Sequence, residues 1–264
     1  MMNVDHFVLT LSSPGATSFQ IGSLTIRWYG IFIAIAFLTG YFLAESLTRK
    51  NNLDLNHFGN LIFFALLFSI VFARLYFVTL NIDYFKNHLA EIPKIWYGGQ
   101  SIHGGILGGV LTAVIYTRLK KISFYRYIDI LAVVFPLGQA IGRWGNFFNN
   151  EAFGKPVKNF FIQLSIPQEF RPDKYISYEY FHPSFLYESI LDFLLFVFLY
   201  KKYLLWRQKP GKIFWVYLLS YSIIRFFMEF IRVDGRDALQ CVSTPQIVSI
   251  IIILVSTFIL CRKR

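Results

Sequence analysis

The feature that most constrains this chain is a series of seven long apolar runs separated by short polar segments. Each run is long enough to cross the roughly 30 Å hydrocarbon core of a bilayer as a helix. Hydrophobic residues make up 55% of the chain and charged residues only 16%, which excludes an ordinary soluble domain. The sequence therefore predicts an all-α integral membrane protein with about seven transmembrane helices. The predicted spans are Trp28 to Leu47, Phe58 to Leu80, Ile102 to Tyr116, Tyr127 to Phe148, Ser184 to Tyr200, Ile213 to Phe230 and Pro245 to Leu260.

Basic residues predict the orientation of these helices. One set of loops and the C-terminus contain Arg49, Lys50, Arg118, Lys120, Lys121, Arg126, Lys201, Lys202, Arg207, Lys209, Lys212, Arg262, Lys263 and Arg264. The acids on this side are Glu45, Asp54 and Asp129, so it carries the whole net charge of +11. The positive-inside rule assigns this side to the cytoplasm. An odd number of spans then puts the N-terminus outside and the C-terminus inside. Because the charge lies in short clusters between apolar runs, a lipid bilayer and not a nucleic acid is the expected partner.

The longest connection, residues 149–183, lies on the outer side between the fourth and fifth spans. Its mixture of proline, charged and aromatic residues predicts a small folded arm. No internal repeat is visible, so residues 1–264 are predicted to form a single polytopic membrane domain. Cys241 and Cys261 lie at opposite ends of the last run, about 30 Å apart across a bilayer, and are not expected to pair.

Three arginines inside the predicted spans need an explanation. A charged side chain at mid-bilayer costs at least about 2.5–3.5 kcal/mol on the insertion scale. The predicted directions of the helices put Arg74, Arg143 and Arg225 in the outer halves of their spans. The outer ends of the first, third and fifth spans hold Tyr29, His103 and Glu188, so the orientation predicts one polar layer in the outer half of the membrane. These six residues come from the first six spans.

The sixth span has a polar ridge. Tyr221, Arg225 and Glu229 are spaced by four residues and therefore share one face of a helix. A structural ion pair between Arg225 and Glu229 is one interpretation, since buried charges usually pair. An anion site is the other, and the presence of Arg143 and Arg74 favours it because guanidinium forks match phosphate oxygens.

The segment Gly142–Gly154 concentrates polar and small residues at the end of the fourth span. Arg143, Asn146 and Glu151 lie within about two helical turns of each other, and the glycines permit close approach of backbone or ligand. A helix end also selects glycine and asparagine. That alternative does not explain Arg143 together with Glu151.

Two histidines are candidates for functional roles. His103, inside a glycine-rich segment, is a candidate proton acceptor because a neutral imidazole titrates near neutral pH; packing or capping at a helix start is the alternative. His182 precedes Pro183 and Ser184, which suit a helix start, and a capping role is predicted for it. The histidines and cysteines lack metal-ligand spacing, and no nucleotide-binding or hydrolase motif is present. Neither a metal nor a cofactor is expected.

Five segments together resemble the bacterial prolipoprotein diacylglyceryl transferases. They are Arg27–Gly30, Gly98–Gly105, Gly142–Gly154 with its Gly-Arg-x-Gly-Asn-Phe-x-Asn-x-Glu core, His182–Glu188, and Tyr221–Arg232 followed by Asp234. The resemblance covers nearly the whole chain, and Gly142–Gly154 is its most specific part. It implies a seven-helix enzyme of the bacterial cytoplasmic (inner) membrane. Such an enzyme moves the diacylglyceryl group of phosphatidylglycerol to the thiol of the lipobox cysteine in a preprolipoprotein. A thioether forms and glycerol phosphate leaves.

The resemblance also implies functional positions and a location. These positions are Tyr29, His103, Arg143, Asn146, Glu151, Gly154, Tyr221, Arg225 and Glu229. Arg143 and Arg225 are expected to stabilise the departing phosphate. Phosphatidylglycerol is expected to bind Arg143, Asn146, Gly154, Tyr221, Arg225 and Glu229, with Glu229 and Tyr221 orienting Arg225. His103 is the hypothesis for the base that deprotonates the thiol, with Tyr29 or Glu151 as alternatives. The active site is expected toward the periplasmic half of the membrane, and residues 149–183 are expected to form a periplasmic arm.

Two other classes of protein are alternatives to a transferase. A transporter or channel for an anionic solute would also place arginines between helices. It predicts polar residues through the full depth of the bundle, whereas the inner halves of these spans are nearly all apolar. A structural scaffold would leave Arg143, Glu151 and Arg225 without a purpose. The transferase interpretation accounts for all three residues.

Overall fold

The computed structural model describes residues 8–21, 24–158, 160–233 and 242–262, and these residues are mostly helical. The helices are α1 (Trp28–Lys50), α2 (Leu55–Leu80), α3 (Ile82–Phe85), α4 (Ile102–Leu119), α5 (Phe124–Phe148), α6 (Ser184–Trp206), α7 (Lys212–Met228) and α8 (Thr244–Arg262). Five short strands are β1 (Leu9–Ser12), β2 (Thr17–Ile21), β3 (Leu24–Arg27), β4 (Ile162–Ser165) and β5 (Tyr180–Phe181). Asp234 and Cys241, both considered in the sequence, lie outside the described residues.

Each of the seven predicted spans coincides with one of the long helices. Five of them, α1, α2, α4, α5 and α8, are long and apolar enough to cross a membrane. Helix α7 has only 17 residues, and α6 contains Glu188, Asp192, Lys201 and Lys202. The described chain therefore has the mostly helical character predicted for an integral membrane protein, with five candidate spans.

The described residues form two compact units. One unit contains the residues up to Ala44 and those from Asp129 onward, and the other contains Glu45–Ile128. The first unit holds most of α1, nearly all of α5, and α6, α7 and α8, together with the strands. The second holds the end of α1, then α2, α3 and α4, and the first turn of α5.

In the second unit, α2 packs closely against α4. A β-carbon added to Gly104 would lie 2.5 Å from the carbonyl oxygen of Phe72, and one added to Gly108 would lie 2.6 Å from the β-carbon of the same phenylalanine. Small residues allow two helix backbones to approach this closely. The glycines of α4 therefore allow its backbone to lie close to that of α2.

The first unit contains the strands, which the sequence analysis did not predict. Strand β4 pairs with β1 in parallel and with β5 antiparallel, and β2 pairs with β3 as an antiparallel hairpin. Four buried side chains of the segment between α5 and α6 pack with Phe185 of α6 to form an apolar core. They are Phe153, Leu164, Ile166 and Phe181. The segment between these helices is therefore folded and packs on the first turn of α6.

Candidate functional site

Charged side chains of the first unit converge on Glu188, in the second turn of α6. The Oε2 atom of Glu188 lies 2.5 Å from an Nη atom of Arg143, on α5. Its Oε1 atom lies 3.1 Å from Arg232 and 3.7 Å from Arg225. Glu188 is only 2% exposed. One buried carboxylate therefore contacts three guanidinium groups.

Arg225 has a second carboxylate partner on its own helix. Its Nη2 atom lies 2.8 Å from Oε2 of Glu229, four residues later. This contact confirms the ion-pair interpretation of the α7 ridge. It does not exclude an anion site, because the guanidinium groups of Arg225 and Arg143 both keep partly exposed surface, 20% and 19% of their side chains.

Tyr221 completes the ridge one turn before Arg225. Its ring stacks on that of Tyr217, with centroids 5.9 Å apart and an angle of 20° between the planes. Arg143, Arg225 and Glu188 all act electrostatically on the Tyr221 hydroxyl. The ridge therefore faces the ion pairs, as its spacing predicts.

A chain of polar contacts runs from Arg143 to Glu151. An Nη atom of Arg143 lies 3.5 Å from Oδ1 of Asn146. Asn146 donates to Oε1 of Glu151 at 2.9 Å, and Asn149 donates to the same atom at 3.3 Å. The amide donors fix an exposed carboxylate near the arginine.

The backbone after α5 makes this contact chain possible. Asn150 and Ala152 have φ values of 53° and 56°, in the left-handed region. The chain turns back, and the Glu151 N–H donates to the carbonyl of Asn146 at 3.0 Å. Beside this turn lies a cavity of about 470 Å³ whose lining includes Arg27, residues 149–153 and Phe170.

Two glycines of the Gly142–Gly154 segment lie where backbones approach closely. A β-carbon on Gly145 would lie 2.7 Å from the ring of Tyr29, at the start of α1. A β-carbon on Gly154 would lie 2.6 Å from that of His182. The Gly154 N–H donates to the His182 carbonyl at 2.8 Å. These glycines position Tyr29 and the start of α6.

His182 does not cap α6 as predicted. Pro183 occupies the N-cap position, and no side chain caps the helix. The His182 ring instead lies with Nδ1 3.3 Å from the Tyr187 hydroxyl. Burial lowers the pKa of His182 below its ordinary value. The capping prediction is wrong because the ring turns toward Tyr187.

Arg74 and His103 belong to the second unit. Arg74 is buried and donates to the backbone carbonyls of Glu91, Ile92, Gly98 and Gly99 at 2.6–3.0 Å. These four hydrogen bonds give Arg74 a structural role, so it no longer supports the anion-site interpretation. His103 lies in the first turn of α4, with its ring centroid 6.5 Å from that of Tyr76. Its chemical role stays a prediction.

Sequence reasoning missed Arg232, which contacts Glu188, and the nearby acid Asp192. Arg232 was noted only as the end of a matching segment, yet its Nη1 atom donates to Glu188 at 3.1 Å. Asp192 received no role from the sequence. The sequence signal for Asp192 is its position four residues after Glu188, on the same helix face.

Among the described residues, no group of three or more histidine, cysteine, aspartate or glutamate side chains could hold a metal ion.

Comparison with known proteins identifies a family match and close relatives. The family model "Prolipoprotein diacylglyceryl transferase" matches residues 16–262. A Staphylococcus epidermidis (strain ATCC 12228) protein is 40% identical over 257 residues, which cover 97% of this chain and 91% of that protein. A Staphylococcus haemolyticus (strain JCSC1435) protein is 41% identical over 251 residues, covering 94% and 88%. Both relatives bear the name phosphatidylglycerol--prolipoprotein diacylglyceryl transferase.

Proposed function

The chain belongs to the prolipoprotein diacylglyceryl transferase family, and on that premise we propose that it transfers the diacylglyceryl group of phosphatidylglycerol to the lipobox cysteine of preprolipoproteins. This is the first step of lipoprotein maturation. The names of its relatives support both substrates. The structural observation that carries the proposal is the pair of partly exposed arginines, Arg143 and Arg225, held by buried Glu188.

The reaction forms one bond and breaks another at a glyceryl carbon. The cysteine sulfur attacks this carbon, a C–S bond forms, and the C–O bond to the phosphate breaks. The leaving phosphate oxygen takes the electron pair, and the thiol proton passes to a base. Arg143 and Arg225 stabilise the charge that develops on the phosphate. Because the nucleophile belongs to the substrate, the enzyme needs no serine or cysteine of its own.

The proposed lipid-binding residues are Arg143, Asn146, Gly154, Tyr221, Arg225 and Glu229. Glu229 holds Arg225 from the same helix at 2.8 Å, and this contact supports an orienting role. Asn146 links Arg143 to Glu151. Gly154 acts through its backbone, since a side chain there would overlap His182.

His103 is the proposed base, with Tyr29 and Glu151 as alternatives. Tyr29 is 40% exposed, and its ring lies next to Gly145. The exposed Glu151 carboxylate already accepts two amide hydrogen bonds. A His103→Gln variant is expected to lose turnover with a purified lipobox peptide. Near-normal turnover in this variant would contradict the role of His103 and assign the base to Tyr29 or Glu151. The turnover of Tyr29→Phe and Glu151→Gln would then distinguish these two residues.

The proposed topology has seven spans in the bacterial cytoplasmic membrane. Helices α6 and α7 supply the fifth and sixth of these spans, and the chain forms a single polytopic domain. The N-terminus and residues 149–183 lie in the periplasm, and the C-terminus lies in the cytoplasm. The distribution of basic residues supports this orientation. The reaction then takes place in the outer half of the membrane, where an exported cysteine meets a lipid headgroup.

The transfer reaction has a direct test. Purified protein is mixed with phosphatidylglycerol vesicles and a lipobox peptide, and the peptide mass is followed. A gain equal to one diacylglyceryl group is expected, and a peptide with alanine in place of the cysteine is expected to gain nothing. Folded protein that leaves the cysteine peptide unchanged in phosphatidylglycerol would refute the proposed function.

A further inference from the structure

Asp192 is a buried acid that the proposed reaction does not use. It lies one helical turn beyond Glu188 on α6 and is 1% exposed. Among the described residues, neither of its carboxyl oxygens has a hydrogen-bond partner. Glu188, by contrast, contacts guanidinium groups through both oxygens. Burying an ionised carboxylate without hydrogen-bond donors is strongly unfavourable, and binding a proton lowers the free energy of such a group.

Three helices surround this carboxyl group. The charged and titratable groups that act on it are Arg143 from α5, Glu188 from its own helix, and Tyr217 and Tyr221 from α7. The cation in this set, Arg143, already lies 2.5 Å from Glu188. Both tyrosines are neutral near neutral pH. Arg143 thus acts electrostatically on both acids, and its ion pair is with Glu188.

The charge of the neighbouring ion pairs also favours a protonated Asp192. The guanidinium groups of Arg143, Arg225 and Arg232 face the carboxylates of Glu188 and Glu229, so these five side chains carry a net charge of +1. A further negative charge at Asp192 would cancel that excess and weaken the attraction for a phosphodiester anion. A proton on Asp192 preserves the positive excess.

We propose that Asp192 is a positioning residue that stays protonated in the resting enzyme and thereby keeps Arg143 available to the lipid phosphate. The proposal rests on the proposed function for its ligand, an anionic phosphodiester lipid. Asp192 acts through Arg143 and does not take part in bond making. Its protonation state is a property of the folded protein and can be observed without any substrate.

Infrared difference spectroscopy tests the protonation state directly. The wild-type protein in neutral lipid nanodiscs is expected to show the C=O stretch of a protonated carboxyl group near neutral pH, and the Asp192→Asn variant is expected to lose it. Asp83→Asn is the matched control, because the Asp83 side chain is 91% exposed and pairs with Lys86; this variant is expected to keep the band. A wild-type spectrum without the band, or a band that persists in folded Asp192→Asn, would overturn the proposal.

The pH dependence of the Michaelis constant for phosphatidylglycerol tests the consequence. In the wild type, alkaline pH is expected to ionise Asp192 and raise KM on the order of tenfold. An asparagine side chain cannot ionise, so Asp192→Asn is expected to keep kcat/KM within about threefold at neutral pH and to lose this alkaline rise. A loss of about a hundredfold in a folded Asp192→Asn protein would mean that the negative charge is required, which contradicts the proposal.

The two proposals fail in distinguishable ways. If the wild type shows the protonated carboxyl band but never transfers the lipid group, the proposed function is wrong and the state of Asp192 stands. If it transfers the group but lacks the band, the inference about Asp192 is wrong. If Asp192→Asn does not fold, an alkaline titration of the band in the wild type decides the question: the band is expected to fade as KM rises, and a band that stays constant while KM rises refutes the link.

Discussion

Glu188 contacts guanidinium groups from separate parts of the first unit. Arg143 comes from α5, Arg225 from α7, and Arg232 from the segment that follows α7. At the residue scale, this carboxylate fixes the position of both arginines proposed to bind phosphate. Buried ion pairs contribute little net stability when intact, but the loss of one partner leaves the others uncompensated. The cluster is therefore most sensitive at Glu188.

Glu188→Gln removes the shared charge while keeping the side-chain size. We expect the free energy of unfolding to fall by about 3–5 kcal/mol, because three guanidinium groups lose the buried carboxylate that balances their charge. Thermal unfolding in detergent measures this change. Glu45→Gln is the control, since its partner Arg49 has a 71% exposed side chain, and about 0–1 kcal/mol is expected there. Equal effects of the two substitutions would contradict the central role of Glu188.

Arg143→Lys keeps the positive charge but removes the guanidinium fork. We expect kcat for diacylglyceryl transfer to fall by about 10²–10³, because an ammonium group does not match the leaving phosphate with two parallel hydrogen bonds. Steady-state transfer to a lipobox peptide measures the effect. Arg118→Lys, at an exposed position in the last turn of α4, serves as the control. An unchanged kcat in Arg143→Lys would show that only the charge matters.

At the scale of elements, the second unit is held by two features of α2. One is its close contact with α4 through Gly104 and Gly108. The other is Arg74, whose hydrogen bonds reach carbonyl groups from Glu91 to Gly99 and so fix the connection between α2 and α4. Ser101, next to α4, also donates its N–H to the carbonyl of Ala73 at 3.0 Å. Together these contacts set where α4, and with it His103, begins.

Arg74→Lys tests the loop contacts. An ammonium group has three donors on a flexible stem and does not reproduce four hydrogen bonds of a planar fork. We expect the free energy of unfolding to fall by at least about 1.5–3 kcal/mol, and hydrogen exchange of the amides at 98–101 to accelerate. Arg49→Lys, at an exposed position, is expected to change neither quantity. Unaltered exchange in Arg74→Lys would mean that the loop is held by other contacts.

Gly108→Ala tests the contact between α2 and α4. The added methyl group would lie 2.6 Å from the β-carbon of Phe72 and 2.7 Å from the carbonyl oxygen of Phe68, so we expect a destabilisation of about 1–3 kcal/mol. Gly59→Ala is the matched control on α2, where an added β-carbon meets no atom within 4 Å. Alanine there is expected to be neutral or stabilising by up to about 1 kcal/mol. Thermal unfolding followed by circular dichroism compares the two, and a stabilised Gly108→Ala protein would contradict the close packing.

At the scale of the whole molecule, charge and hydropathy act together. The apolar helices require a bilayer as solvent, and the whole net charge of +11 lies on the side assigned to the cytoplasm. The free thiol of Cys261, exposed in the last turn of α8, adjoins the C-terminal basic residues assigned to the same side. Orientation is therefore a property of the chain as a whole and follows from no single helix.

Reporter fusions and protease sensitivity test this orientation. A fluorescent protein fused after Arg264 is expected to fluoresce, and alkaline phosphatase at the same place to be inactive, because the proposed topology puts the C-terminus in the cytoplasm. An epitope inserted at Gln168–Phe170 is expected to be cleaved by protease added outside spheroplasts. An active phosphatase fusion at the C-terminus, or an epitope cleaved only after lysis, would contradict the proposed topology.

The sequence by itself determined the positions of the long helices and the pairing of Arg225 with Glu229. Bilayer thickness sets the length of an apolar run, and unpaired backbone groups in hydrocarbon force it to be helical; likewise, residues spaced by four share a helix face. The tertiary structure alone decided the short strands, the contact of Arg232 with Glu188 across 44 positions, and the backbone carbonyl partners of Arg74. Strands of two to five residues are too short to show an alternation of polar and apolar residues. The carbonyl partners of Arg74 leave no trace in the sequence, because every residue has a backbone carbonyl group. Contacts between distant segments depend on how the helices pack, and no local pattern records that packing.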